Sequence, residues 1–320
     1  MNCFVEVDLI GLLVKLMEVR YSIMLISVII PTHNRAGLLQ EAIESVLHQE
    51  PCGADVEIIV ADDDSNDGTS DVIELYPQVR SIKTKQGNAA GTRNEGIKLA
   101  KGDWIAFLDD DDLYLPHKLL RCCEEIHTHP NAVFVHSSAW ICDFHMKKSA
   151  LWRVPDMSRY RSTWEVFLDY VSTPSAVMVR NDTLQRIGGF DPTFPRAEDR
   201  DLWLRIFAEG AECISINEPL ILYRTREHES GDLLYSTFLA TMNVLHKNID
   251  SDVPYKVPLC RKWRIYWRIR RWYADRLKYI ARQEAELDNL QEAKRFRHLA
   301  NSISSFHFMV DDLIGYYKYR

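Results

Sequence analysis

Two periodicities alternate along the first part of the chain. Leu25–Ile30 is a run rich in β-branched residues and apolar except at Ser27, which predicts a strand buried on both faces. Between 35 and 49 the period changes, and Leu38, Leu39, Ala42, Ile43, Val46 and Leu47 fall on one helical stripe. Val56–Ala61 predicts a second buried strand, 69–76 a short helix, and 79–83 a weak strand. Ala89–Ala100 predicts a helix, Trp104–Leu108 a strand, Pro116–His127 a helix with proline near its first turn, and Ala132–Ser137 a strand. This order implies right-handed crossovers and an α/β fold, a mainly parallel sheet sandwiched by helices.

Beyond 140 the pattern loosens. Ser175–Val179 predicts a strand, Gly188-Gly189-Phe190-Asp191-Pro192 a loop, 198–209 a helix, and Cys213–Ile216 and Leu220–Tyr223 two short strands. Helical periodicity then runs to about 300, after a linker at Asp252–Pro258. These shifts divide the chain into an α/β domain over 24–250 and a helical region over 251–320. Residues 1–23 read as an extension outside the fold: Lys15 and Glu18 interrupt the apolar stretch there, and Met24 stands directly before the first strand.

The helical region is locally basic. Between Lys256 and Arg282 there are ten Lys/Arg against one acid, Asp275, interleaved with Trp263, Tyr266, Trp267, Trp272, Tyr273 and Tyr279. Two readings stand. The helix packs on the α/β domain with its arginines in water, or it also makes peripheral contact with anionic lipid, its rings at headgroup depth. The whole chain carries a net charge of −7 and shows no RNA-binding motif, so nucleic acid is not an expected partner. Seven cysteines, odd in number and never spaced CxxC, argue against a disulfide framework or structural zinc and fit a reducing, cytoplasmic compartment.

Ligands of parallel α/β sheets bind beyond the carboxyl ends of the strands. Three polar segments fall there: Pro31-Thr32-His33-Asn34-Arg35, the acidic loop Asp62–Gly68, and Asp109-Asp110-Asp111-Asp112. An isolated acidic run is ordinarily a solvated loop. Here a buried strand delivers the run and a second acidic loop accompanies it. Crowded carboxylates are unfavourable unless a cation neutralises them, and hard ions such as Mg²⁺ or Mn²⁺ suit oxygen ligands while keeping positions for diphosphate. Asp63, Ser65, Asp67, Gly68 and Glu74 also fit the spacing of a calcium loop, but a strand precedes them where a helix belongs.

The segments ISVIIPTHNR, IIVADDDSNDGT, GTRNEGIKLAKGDWIAFLDDDDLYLP and GGFDPTFPRAEDRDLWLRI together resemble glycosyltransferase family 2 over about 25–225. The resemblance implies a GT-A, Rossmann-like fold and inverting transfer of a sugar from a nucleotide diphosphate, a UDP-sugar by preference. The acceptor would be a hydroxyl on a saccharide or lipid-linked molecule in surface polysaccharide or glycolipid assembly, at the inner face of a membrane. It further implies that Pro31, Thr32 and Asn34 line the nucleotide pocket, that Asp63 bonds the base and that Arg93 lies near the diphosphate. Asp109 and Asp111 match the DxD motif, Asp111 as metal ligand and Asp109 nearer the ribose. Four consecutive aspartates leave the register open, so Asp110 and Asp112 could exchange with these. Asp199 matches the general base, with Glu198 as second choice.

Two departures stand out. Asp-Asp-Gly-Ser becomes Asp62-Asp63-Asp64-Ser65, and Tyr-Arg-x-His becomes Tyr223-Arg224-Thr225-Arg226 with His228 two positions late, a third metal-ligand candidate if the loop bulges. The alternatives are a non-catalytic nucleotide-sugar- or calcium-binding module and a sugar nucleotidyltransferase. The latter carries its Gly-Thr-Arg loop directly after the first strand, where this chain has PTHNR.

Overall fold

A computed structural model describes residues 24–157, 172–225, 230–250 and 259–304. The elements run β1 (Leu25–Thr32), α1 (Ala36–Leu47), β2 (Asp55–Asp63), α2 (Thr69–Glu74), β3 (Arg80–Thr84), α3 (Ala89–Leu99), β4 (Trp104–Phe107), β5 (Leu113–Tyr114), α4 (Lys118–Thr128), β6 (Phe134–Cys142) and β7 (Lys148–Trp152). A short 3-10 turn, Pro174–Ala176, leads into β8 (Val177–Arg180), α5 (Asn181–Ile187), α6 (Glu198–Ala208), β9 (Cys213–Arg224), α7 (Gly231–Asp250), α8 (Leu259–Glu286) and α9 (Leu290–Ser304).

The sheet order is β3-β2-β1-β4-β8-β6-β9-β5, with β7 on β6. β3, β2, β1 and β4 are mutually parallel, as are β6 and β9, and β8 runs antiparallel between the two groups. The sheet is therefore mainly parallel, as expected. Its central strands are buried on both faces. Ile26, Val28 and Ile30 face Leu39 and Ile43 of α1 in one core. Ile29 points the opposite way, into a core with Ile97 of α3 and Leu202, Trp203 and Ile206 of α6. Contact there is close: a Cβ on Gly96 would stand 2.5 Å from Ile29 Cγ2, so only glycine lets α3 lie this near β1.

Several expected boundaries change. The helix foreseen from Pro116 begins at Lys118. The two short strands foreseen at 213–216 and 220–223 are one strand, β9, whose pairing with β6 shifts register around Ser138 and Pro219. Proline cannot donate to a ladder, and the irregularity absorbs it. β5, β7 and α5 are additional elements. In the helical layer α7 packs with α8 and α9, and Leu234, Phe238, Leu245, Tyr273, Leu277 and Phe296 share one core with Phe194 and Leu204 of the α/β layer.

Candidate active site

The carboxyl ends of β1, β2 and β4 bring Thr32, Asp62–Asp63 and Asp109 to one edge of the sheet. The acidic turn after β4 is locked by its neighbours. Ser175 Oγ accepts the Asp109 N–H at 3.0 Å and donates to Asp112 Oδ2 at 2.5 Å, while the Arg224 N–H reaches Asp112 Oδ1 at 2.9 Å. Asp110 receives the Thr32 hydroxyl at 2.8 Å and Arg35 Nη1 at 2.8 Å, and the same Nη1 donates to Asp111 Oδ2 at 2.9 Å.

This pattern orders the four aspartates. Asp112 is fully buried and the Asp110 side chain is 6% exposed, whereas Asp109 and Asp111 keep 23% and 29% of their side chains in solvent. The even positions hold the turn together, and the odd positions keep partial access to solvent beside Arg93 and Arg35. Burial pushes the Asp110 carboxyl up to about 6 despite Arg35. Burial and the Asp109 charge raise Asp111, and burial with the Asp109 and Asp111 charges raises Asp112 well above the usual carboxylate range. Tyr223 is raised by burial and by the same carboxylates. Among the described residues, Arg35 and Arg93 are the guanidinium groups paired with side chains of this turn.

Arg93 on α3 joins the turn to the second acidic pair. Its buried guanidinium donates to Asp109 Oδ1 at 2.6 Å and to Glu198 Oε1 at 2.7 Å. The next residue, Asn94, clamps the Gly-Gly-Phe loop through Phe190 O at 2.8 Å and Phe190 N at 2.9 Å. One helix thus fixes the approach to Glu198 and Asp199 at the N-terminus of α6. The residue before that pair, Ala197, takes a φ of +58°, a left-handed conformation that costs an alanine about 1 kcal/mol and marks a turn held in place by its surroundings. Asp199 is half-buried, and desolvation together with the Glu198 charge pushes its carboxyl up to about 7.

On the opposite rim Pro31 is buried at the end of β1, and Asn34, at φ +53°, accepts the Asn66 N–H at 2.8 Å and donates its own N–H to Ser65 Oγ at 2.9 Å. Asp63 Oδ1 accepts the N–H groups of Gln86 and Gly87 at 2.6 and 3.2 Å. Asp64, standing where the family has glycine, takes φ +60°, so the backbone keeps the tight geometry without the glycine. The calcium-loop alternative fares poorly: Asp67 is occupied by the N–H groups of Ala36 and Thr69, and Asp63 by those of Gln86 and Gly87. His228 lies outside the described residues.

Among the described residues no three His, Cys, Asp or Glu side chains gather closely enough to cage a metal. One or two partly exposed carboxylates suit instead an ion that shares its coordination with phosphate and water. Arg35, Asn94 and Ser175 were not singled out in the sequence. Each works through a partner more than sixty positions away, and such a pairing leaves no local pattern.

An α/β sheet with acidic loops at its carboxyl edge, and a second acidic pair tied to them, has the architecture of nucleotide-binding α/β enzymes. Residues 27–184 match the family model Glycosyl transferase family 2. YwdF of Bacillus subtilis, an uncharacterized glycosyltransferase, is 34% identical over 190 residues, 57% of this chain and 68% of its own length. WfaP of Escherichia coli, a UDP-Glc:alpha-D-GlcNAc-diphosphoundecaprenol beta-1,3-glucosyltransferase, is 29% identical over 226 residues, 69% of this chain and 85% of WfaP. In fold, the mannosyltransferase PcManGT from Pyrobaculum calidifontis, solved with GDP-Man and Mn²⁺, superposes with a TM-score of 0.58 at 16% identity over 90% of this chain and 86% of that one. The chain belongs to glycosyltransferase family 2, and it is a glycosyltransferase working with a nucleotide-sugar donor.

Proposed function

We propose that the enzyme moves a sugar, with inversion and with the help of Mn²⁺ or Mg²⁺, from a UDP-sugar to a hydroxyl of a saccharide or lipid-linked acceptor. The observation that carries this reading is the alternation at 109–112, which leaves Asp109 and Asp111 partly open to solvent, with Asp109 joined through Arg93 to the pair Glu198–Asp199. Asp111 holds the ion, with Asp109 toward the ribose. The ion, when bound, offsets the charge that grows on the departing diphosphate. Pro31, Thr32, Asn34 and Asp63 form the nucleotide side, and Asp63 serves the base by exchanging its Gln86 and Gly87 bonds. Arg93 acts one step back from the diphosphate, by aiming Asp109.

On the acceptor side a hydroxyl is a weak nucleophile until a carboxylate takes its proton. Asp199 accepts that proton, and attack from the face opposite the diphosphate inverts the anomeric centre. WfaP's printed substrates, a UDP-sugar and a diphosphoundecaprenol-linked sugar, support a UDP donor and a lipid-linked acceptor here. PcManGT's Mn²⁺ supports the ion. With such an acceptor the reaction takes place at the cytoplasmic face of a membrane, in surface polysaccharide or glycolipid assembly.

The test is thermal shift with UDP, GDP and Mn²⁺ separately and combined, followed by product analysis. UDP with Mn²⁺ is expected to raise Tm more than either alone, and Asp111→Ala to abolish that excess. Product NMR should show the anomeric configuration opposite to the donor's. A metal-independent UDP shift, unchanged in Asp111→Ala, would sink the metal assignment, and a retained configuration would sink inversion.

A further inference from the structure

The longest helix presents a face that sugar transfer does not use. From Trp263 to Arg282, α8 alternates pairs of exposed and buried residues for most of its length. Ile265, Ile269, Tyr273, Leu277 and Ile280 enter the helical core. Trp263, Trp267, Trp272 and Tyr279 remain between 39% and 58% exposed. Among them stand Arg264, Arg268, Arg271, Arg276 and Arg282, all exposed, and one acid, Asp275, which already has Arg271 at 3.7 Å and Lys278 at 3.6 Å.

A helix face meant only for water has no need of four large rings, since each leaves a large part of its apolar surface unburied. The core of a protein–protein interface, conversely, is depleted of charge. On α8 rings and cations alternate without a charge-free patch. That mixture suits one environment above others, the boundary between lipid headgroups and acyl chains, where rings are half-immersed and guanidinium groups meet phosphate. Two of the cations already lie on rings: Arg271 is 5.1 Å from the Trp267 centroid and Arg276 5.1 Å from that of Tyr279. Trp267, Arg271, Lys278 and Ser304 also border a recess of about 230 Å³ between α8 and α9, in which Asp275 stands between the two cations.

We propose that the Trp263–Arg282 face of α8 docks the enzyme on a membrane surface containing anionic phospholipid, the helix lying in the plane of the headgroups. Among the described residues no helix is long and apolar enough to cross a membrane, so the contact is peripheral. Over these residues the helix extends about 30 Å along the surface. The face is a local reversal of a chain that is acidic overall. Its core also holds Phe194 and Leu204, so docking fixes the orientation of the segment that carries Asp199. The inference is independent of the donor and metal assignments above.

The experiment is vesicle co-sedimentation of the full chain. Vesicles of phosphatidylcholine alone are compared with vesicles containing phosphatidylglycerol, at low and high salt. Binding is expected only with phosphatidylglycerol and should weaken with salt. Arg268→Ala combined with Arg271→Ala should lower partitioning at least about tenfold, given about 1 kcal/mol per basic residue at an anionic surface. Trp272→Ser, at an exposed position, should lower it while leaving the melting temperature and donor turnover in solution unchanged. Equal binding to both vesicle types, binding unaffected by all three substitutions, or capture of RNA without capture of vesicles would each overturn the proposal.

Discussion

At the scale of single residues the sharpest question is which member of the acidic pair takes the acceptor's proton. Glu198 is tied to Arg93 at 2.7 Å, so one of its oxygens is already engaged by a guanidinium. Asp199 has the contrary environment: desolvation and the adjacent Glu198 charge hold its carboxyl near pH 7, where a base is most effective. The sign follows directly. Below about 7 Asp199 is protonated and cannot accept a proton, so kcat/KM should rise with pH through that value. Removing the neighbouring charge lowers the pKa, so Glu198→Gln should move the acidic limb to lower pH and retain turnover. Asp199→Asn should cost about a hundredfold or more in kcat, the ordinary contribution of a positioned base. If Glu198→Gln instead abolishes turnover while Asp199→Asn keeps it, the roles are exchanged. The measurement is a pH–rate profile for each variant.

At the scale of elements the joint between α6 and α7 has a similar economy of charge. Asp201 is fully buried, and its two oxygens accept from Arg205 Nε at 2.8 Å, Lys247 Nζ at 2.9 Å and Asn248 Nδ2 at 3.0 Å. Lys247 continues to Asp191, and Arg205 to the carbonyls of Ile187 and Gly189. Asp201→Ala removes the buried carboxylate shared by Arg205, Lys247 and Asn248, each of which keeps a second partner, and should destabilise the fold by about 1–3 kcal/mol, read in urea unfolding. Ala substitution of exposed Asp182 is the comparison, with a change near zero. Beyond the i, i+4 spacing of Asp201 and Arg205 this network was not legible in the sequence, because Asp201 and Lys247 lie on helices 46 positions apart. What was legible is the set of strands with buried centres, since β4 reads as an unbroken apolar run and β1 and β2 as apolar runs interrupted only at Ser27 and Glu57. β7 was not, because its residues are exposed or half-buried and carry no period, and β9 was read as two strands because Pro219 interrupts it. In the site the acidic turn announced itself by charge. Which aspartates keep access to solvent depended on Thr32, Arg35 and Ser175, and only folding brings those three to the turn.

At the scale of the whole molecule the fold sets burial against charge in two places with opposite consequences for pH. Asp199 titrates higher in the folded chain than in the unfolded one, so acidification relieves it, by an amount that solvent at this half-exposed group reduces. His136 does the reverse. It is fully buried on β6, its Nε2 is 2.7 Å from Ser215 Oγ, and burial with the nearby Lys118 charge pushes its pKa down to about 3. The unfolded chain takes up that proton near pH 6.5, whereas the folded chain refuses it until about 3. Between those values the unfolded state binds more protons, so stability falls as pH falls, by on the order of 2 kcal/mol from neutrality to pH 5. The two trends partly cancel in any single melting curve of the native protein, and only a difference isolates the histidine. Urea unfolding of the native chain and of His136→Gln at pH 7 and pH 5 supplies it. The substitution should cost stability at pH 7, where the neutral ring packs well, and less at pH 5, where the native chain has lost the histidine's contribution. A cost that stays constant between the two would mean that His136 takes up its proton equally in the folded and unfolded chains.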